Sequence, residues 1–493
     1  MSSSCLDPVS HNSNEVALNG NSRHTSSTLT VQERASKLFE NSEILAPMVR
    51  ASSTPLRSLA LSYGCDLVYS EEIVDRAITP TERIFNEQIG TIDYRKKMES
   101  FSAKVQRRMA KNNDPLPTVI RIDPKLERNR LIYQMGSGEA SLALPAALMV
   151  QNDVDGIDLN MGCPKKFSIS GGMGAALLQD LPRACDIIST LRRNLHCPVS
   201  CKIRLLEDDK QTVDFVTALV KAGANAVAIH GREAGDESQQ PAKLDRLVEV
   251  VKLLKSSSIG VPIILNGDMY TRNDMMNLKR RSGADGIMLA RPALYNTSIF
   301  IKPSAKDKVE DGDGDKSSEE VKRYGYDSEL LLPKTKVVQD YLEHANRYDG
   351  HVKNIKYVVC EMMSNRRTPT NLSPFMPTKF SGGQTINDIC ICKSMDDLCK
   401  IWDVSRSVTR LDLMKRPSGG VEESKKTSSS VGGGDTHYYD DRYFLDHESL
   451  RKEREAKQPH LHLSTDKDTD KESKRDDVSN KEDKQISKKP RID

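Results

Sequence analysis

A cysteine set between a glycine and a proline, with two lysines behind it, is the position in this chain best suited to chemistry. Cys163 stands in GIDLNMGCPKKFSISGGMGAAL (156–177). GIDLN reads as a short buried strand ending in polar residues, and Gly-Cys-Pro stops regular structure, because glycine loosens the backbone and proline removes a donor. A thiol in such a turn can give a proton to carbon or attack it. An arbitrary cysteine is more often a small buried hydrophobe, so the weight here comes from its neighbours. The glycine-rich SGGMGAALL lacks the full dinucleotide fingerprint and reads as an active-site loop that tightens into a helix start.

Other polar groups recur where apolar runs end. They are Pro47–Met48–Val49, Glu71–Glu72, Gln134, Asn160, Lys202 with Arg204, His230 with Arg232, Asn266–Gly267–Asp268 and Ala290–Arg291. One buried polar residue is usually satisfied within the core, but one at nearly every run end is not what a core asks for. Asn266–Gly267–Asp268 and Ala290–Arg291, after the last two runs, suit a phosphate held by backbone N–H groups and a short helix N-terminus. Lys202 could pair with an anion on a cofactor ring. A reduced flavin carries such a charge, which a fixed ammonium would stabilise.

These residues need elements to bring them together. Eight apolar runs, 43–49, 66–73, 131–137, 156–160, 199–205, 226–232, 262–268 and 286–291, alternate with longer amphipathic stretches. Several begin alike: YGCDLVYS, NDVDGIDLN, AGANAVAIHG and SGADGIMLA each put Gly, Asp or Asn before the apolar residues. That pattern is a helix ending and feeding a buried strand. Eight such units in about 250 residues predict an α/β fold, a (β/α)8 TIM barrel, over a doubly wound open sheet. The strand ends named above would then share one mouth.

The 493-residue chain is uneven. Residues 1–42, Ser/Asn/Thr-rich over 1–30, are expected to form a disordered N-terminal tail. Residues 43–303 form the catalytic barrel, with a basic insertion at 94–117 between its second and third strands. An acidic linker (304–327) leads to a smaller helical domain (328–406), and 407–493 is a low-complexity charged tail. A net charge of +3 is too small for a general nucleic-acid coat, so RNA contacts would come from local patches. The ten cysteines include no CxxC pair, and CICKSMDDLC (390–399) fits no zinc spacing and reads as buried thiols on a helix, so no metal is expected. The longest apolar run, LALPAALMV (142–150), is under half of the ~20 residues a membrane span needs. No membrane role is expected, and the protein is read as cytoplasmic, with KKPR (488–491) a candidate nuclear signal.

Together ILAPMVR, GIDLNMGCPKK, GGMGAALL, CKIRL, AIHGR, ILNGD and GADGIMLARPALYNTSIF resemble the tRNA-dihydrouridine synthases. DLNMGCPKK followed by GGMGAALL looks most like the eukaryotic branch that reduces uridine 20 of the tRNA D-loop. The resemblance is strongest over 43–300. It implies an FMN-containing barrel, a helical tRNA-binding domain and NADPH as electron donor. Matched motif by motif, Pro47, Met48, Val49, Gln134, Lys202, His230, Asn266, Gly267, Asp268, Ala290 and Arg291 would hold FMN. Cys163 would be the proton donor, and Asn160 and Arg204 would touch the uracil. Arg347, Lys353, Lys356, Arg366 and Arg367 would grip the RNA backbone. Animal members often carry a double-stranded-RNA-binding domain, and residues 438–463 resemble only the start of one. The competing readings are a flavin barrel acting on a free pyrimidine or enone, and a non-catalytic tRNA-remodelling protein.

Overall fold

The computed structural model describes residues 29–302 except 113 and 238, then 331–363 and 385–405. Its strands are β1 (Glu43–Leu45), β2 (Leu67–Tyr69), β3 (Ile73–Val74), β4 (Thr81–Asn86), β5 (Thr91–Lys96), β6 (Thr118–Ile122), β7 (Leu131–Gly136), β8 (Gly156–Asn160), β9 (Val199–Leu205), β10 (Ala226–Glu233), β11 (Ile263–Asn266) and β12 (Gly286–Leu289). Parallel pairing runs β2-β1-β12-β11-β10-β9-β8-β7, and β2 pairs with β7 to close an eight-stranded barrel, with β3 extending the β7 edge. The eight expected runs are the eight barrel strands. Gly223 (φ 114°) and Gly283 (φ 70°) end the helices before β10 and β12 in the left-handed region, where glycine carries no Cβ penalty.

Small and medium side chains fill the barrel interior: Ile44, Ala46, Leu67, Tyr69, Ile132, Ala226, Ala228, Ile264 and Met288. Two further residues in that cluster come from outside it. Ala35 and Phe39 sit one turn apart on the helix Val31–Phe39, and both are fully buried. This helix corrects the expectation of disorder through residue 42. Thr30 and Glu33 form a reciprocal capping box, and the apolar pair docks onto the end of the barrel where the strands begin. Gln32 Nε2 donates to the Asn225 main-chain carbonyl and its Oε1 accepts from Asn225 Nδ2, Arg34 donates to the His196 carbonyl, and Asn41 N–H donates to the Asp285 carbonyl at 2.6 Å.

The insertion is larger and more ordered than its basic stretch suggested. Strands β4, β5 and β6 form a separate antiparallel sheet, and the helix Ala103–Asn112 lies between β5 and β6. The expected start at residue 94 falls inside β5. Tyr94 anchors the sheet to the barrel: it is buried, and its hydroxyl donates to the Asp153 carboxylate (2.5 Å) and lies 2.9 Å from the Met149 carbonyl.

Beyond the barrel, helices Lys334–Arg347, Val352–Met363, Ile386–Ile391 and Met395–Ile401 form the helical region. The first packs on the helix Thr54–Ser62 that follows β1. Ser58 Oγ lies 2.7 Å from His344 Nδ1, Tyr63 donates to Asp340 (2.6 Å), and Tyr348 donates to Asp123 beside the insertion (2.8 Å). The acidic linker, Arg366, Arg367, residues 438–463 and KKPR lie outside the described residues.

Candidate active site

The strand ends converge at the mouth, as parallel closure requires. After β8 the chain turns back on itself around one amide. Asn160 Oδ1 accepts from the backbone N–H of Gly162 (2.8 Å) and of Cys163 (3.1 Å), while its Nδ2 donates to Gln134 Oε1 (3.2 Å). Gln134 in turn donates to Asp158 (2.8 Å), which also accepts from Ser200 (2.7 Å). Expected to touch a uracil, Asn160 here pins the thiol turn. Arg204, given the same expectation, is likewise engaged: its guanidinium donates to the Gly162 and Glu233 carbonyls at 2.8 and 2.7 Å.

The glycine-rich run closes behind the turn. Ala175 N–H donates to the Cys163 carbonyl (3.0 Å), and Gly174 adopts φ 58°. A Cβ at Gly174 would lie 2.7 Å from the Cys163 carbonyl oxygen and 2.3 Å from Ser168 Oγ, so only glycine fits.

Glu72, just beyond β2, faces the Cys163 thiol. It is 7% exposed, and its Oε1 has no nitrogen or oxygen partner. Burial pushes the Glu72 carboxyl up to about 7, partly offset by the thiol and Lys202. Burial, and then the Glu72 charge, push the Cys163 thiol up to about 12. The cysteine is therefore a neutral thiol at physiological pH, suited to giving a proton and poorly suited to nucleophilic attack. Glu72 was visible in the sequence as a strand-end acid, but nothing there linked it to Cys163.

Next to the thiol turn, on β9 and β10 and after β12, stands a group of cations. His230 is held well below its usual range by burial and by Lys202, Arg204, Arg232 and Arg291, so its imidazole is neutral. Its Nδ1 is buried without a partner, and its Nε2 lies 3.4 Å from Arg232. Burial and Arg204 lower Lys202 to about 8, against the pull of Asp158. Asp268 is occupied: Arg232 and Arg291 (2.7 Å) both bond its carboxylate, and Ala242 N–H donates to it (2.9 Å). It would act on a ligand through these arginines, and Arg232, read in the sequence as a strand-end residue but given no role there, joins the site. Asn266 is buried and donates to the Met288 carbonyl (2.8 Å), with Gly267 next to it and Ala290–Arg291 across the β11–β12 pair.

Pro47 and Met48 are half-buried and Val49 is exposed on the loop after β1. The following Arg50 takes φ 69° and lays its guanidinium over the Tyr357 ring at 4.8 Å, tying the mouth to the helical region. There Lys356 departs from expectation. Its ammonium donates to the carbonyls of Cys390 and Cys392 (2.6 and 2.7 Å), satisfying the end of the helix Ile386–Ile391, and is not free for RNA. Cys392 and Cys399 are buried as expected, but Cys390 is exposed.

Comparison with known proteins shows the family. The dihydrouridine synthase (Dus) family model matches residues 44–373. The chain is 36% identical over 332 residues to the tRNA-dihydrouridine(20) synthase (NAD(P)+) of Schizosaccharomyces pombe, a match covering 66% of this chain and 60% of that protein. It is 33% identical over 334 residues to the protein of the same name from Saccharomyces cerevisiae, covering 66% and 77%. A human tRNA-dihydrouridine(20a/20b) synthase-like protein is 30% identical over 261 residues, covering 52% of this chain and 70% of that protein. With its barrel, thiol turn and family match together, this chain belongs to the dihydrouridine synthase family.

Proposed function

We propose that the chain is a tRNA-dihydrouridine synthase that reduces the C5=C6 bond of uridine 20 in the D-loop, using FMN, with NADPH as electron donor. The observation that carries this reading is the neutral Cys163 thiol, held by Asn160 in the same mouth as a group of cations around an unpartnered imidazole nitrogen. The group fits an anionic, nitrogen-rich cofactor. His230 Nδ1 has an unmet hydrogen bond, Lys202 offers an ammonium, and Arg232 and Arg291 outnumber the single Asp268 between them. Pro47, Met48, Val49, Gln134, Asn266, Gly267 and Ala290 would line the rest of that site. Bound FMN would supply hydride to uracil C6.

The residues of this chain would do the remaining work. Cys163 would deliver a proton to C5 as charge develops there. The thiolate left behind is strongly basic, and Glu72, in its protonated form, would return a proton to it. Arg204 and Asn160 would keep the thiol aimed and border the uracil. A uridine folded into the D-loop must be extruded to reach this mouth. Arg347 and Lys353 on the helical region would hold the RNA backbone. The protein is proposed to act in the cytoplasm, with KKPR as a candidate nuclear signal, which fractionation of cells expressing it would test.

Cys163→Ala tests the assignment. The variant should bind tRNA, and its bound flavin should be reduced by NADPH in rapid mixing at the wild-type rate. Dihydrouridine formation should fall by roughly 10²–10⁴-fold, the range of a positioned general acid. Formation at close to the wild-type rate would remove Cys163 from the mechanism, and turnover of free uracil as fast as tRNA would replace the substrate.

A further inference from the structure

The most strongly charged unexplained surface lies on the insertion. The helix Ala103–Asn112 (AKVQRRMAKN) carries Lys104, Arg107, Arg108 and Lys111 and no acidic residue. At 3.6 residues per turn their i, i+3, i+4, i+7 spacing puts all four within about 100° of arc. All four are exposed. Met109 is buried, and Val105 and Gln106 are half-buried on the opposite side, so packing turns the basic face outward.

The four cations also lack the partners that basic residues elsewhere on this surface have. On the barrel helices Lys252 pairs with Glu249, Lys255 with Asp285, Arg281 with Asp245 and Arg183 with Asp180. No ion pair or hydrogen bond of the described residues engages the side chain of Lys104, Arg107, Arg108 or Lys111. Four like charges along about 10 Å of helix repel one another and cost stability unless a polyanion meets them.

Position supports the same partner. The helix leaves the sheet at Lys96 and returns at Thr118, and Arg95 is the register partner of Thr118. Lys96 lies over the Phe101 ring at 5.6 Å, and Gln106 donates to the Phe101 carbonyl (2.8 Å), fixing the base of the excursion. Thr118 borders a small crevice with Ser53–Pro55, at the mouth end of the first barrel helix, and with Tyr348–Ile355 of the helical region. The basic helix thus projects from the end of the insertion whose strand borders the first barrel helix and the helical region.

We infer that the helix Ala103–Asn112 is a second RNA-backbone contact, on the barrel side of the mouth, which grips phosphates of the tRNA outside the D-loop. The choice of tRNA rests on the proposed function, whereas the phosphate-binding face rests on the helix itself. Recognition would be by charge, strongly salt-dependent and indifferent to base sequence.

The test uses the full-length protein with Lys104→Ala, Arg107→Ala, Arg108→Ala and Lys111→Ala combined. A control exchanges Lys and Arg at the same four positions. Binding of tRNA is measured across a salt series, and thermal unfolding checks the fold. The alanine variant should bind tRNA at least about tenfold more weakly at ~0.1 M salt, with the slope of log K against log salt reduced by about 3, while the exchange variant keeps both. Unchanged affinity and slope in a variant of unchanged melting temperature would overturn the inference and leave the proposed function standing. If wild-type protein binds a generic RNA duplex through these residues but shows no preference for tRNA, the phosphate face is upheld and the tRNA reading falls. Wild-type binding to poly-glutamate that the alanine variant loses, with tRNA binding intact, would overturn the assignment in favour of an acidic protein partner.

Discussion

The two ends of the barrel are built on opposite terms. Where the strands begin, Phe39 and Ala35 plug the interior and the Gln32 side chain bonds both the main-chain carbonyl and the side-chain amide of Asn225. Where the strands end, His230 Nδ1 is buried without a partner, Glu72 Oε1 is buried without a nitrogen or oxygen partner, and three groups are moved toward neutrality: Asp158 to about 6, Glu72 to about 7 and Lys202 to about 8. The first end is closed by apolar packing, and the second gathers several groups in charge states that burial disfavours. Displaced groups of this kind, gathered in one cleft, mark the end of the molecule that does chemistry at a cost in stability.

Substitutions at the two ends should separate those roles. The largest effect on the fold is expected at the plug. Phe39→Ala removes a fully buried ring and should cost about 3–5 kcal/mol in denaturant unfolding, leaving uridine reduction per folded molecule unchanged. Equal loss of stability and of specific activity would mean the two ends are coupled.

At the mouth the sign should reverse. A Glu72 carboxyl raised to about 7 from an ordinary 4.5 disfavours the fold increasingly as pH climbs from about 4.5 to 7, and by a constant amount above. Glu72→Gln should therefore match the wild type in stability near pH 4 and exceed it by about 2–3 kcal/mol at pH 8. The same variant should reduce uridine on the order of tenfold more slowly, because the thiol loses its proton source. A variant no more stable at pH 8 than at pH 4, relative to wild type, would show that the carboxyl is not strained.

Gly174→Ala should act through position alone. Forcing a Cβ against the Cys163 carbonyl costs roughly 1–3 kcal/mol and should lower uridine reduction while NADPH still reduces the flavin. The smallest effect expected is a pH limb. Lys202, lowered to about 8, loses its charge above that pH, so flavin reduction by NADPH should slow several-fold between pH 7.5 and 9. Lys202→Met should be uniformly slow, with that limb gone. A wild-type rate flat across this range would assign Lys202 to packing.

The eight barrel strands were legible because each is an apolar run announced by a turn residue, a signal confined to a few neighbouring positions. The thiol turn was legible for the same reason. The plug helix was not, since VQERASKLF adjoins a Ser/Thr-rich tail and only Ala35 and Phe39 are fully buried, although Thr30 and Glu33 already spelled a capping box. Basic composition masked the antiparallel sheet of the insertion, where TIDYRK alternates too weakly to stand out. Pairings made by closure, such as Glu72 with Cys163, Arg232 with Asp268 and Lys356 with the end of a neighbouring helix, join residues far apart in sequence and leave no local trace.

The excursion from Lys96 to Thr118 departs and returns within one antiparallel ladder, with Arg95 opposite Thr118. Its two ends are already neighbours, so its length is uncoupled from the barrel. Doubling such a segment adds only about 0.6 kcal/mol of closure entropy, and deleting it would leave a short hairpin joining the same two strands. The basic helix is therefore a detachable part: evolution or an engineer can lengthen it, recharge it or excise it without renegotiating the architecture that holds Cys163.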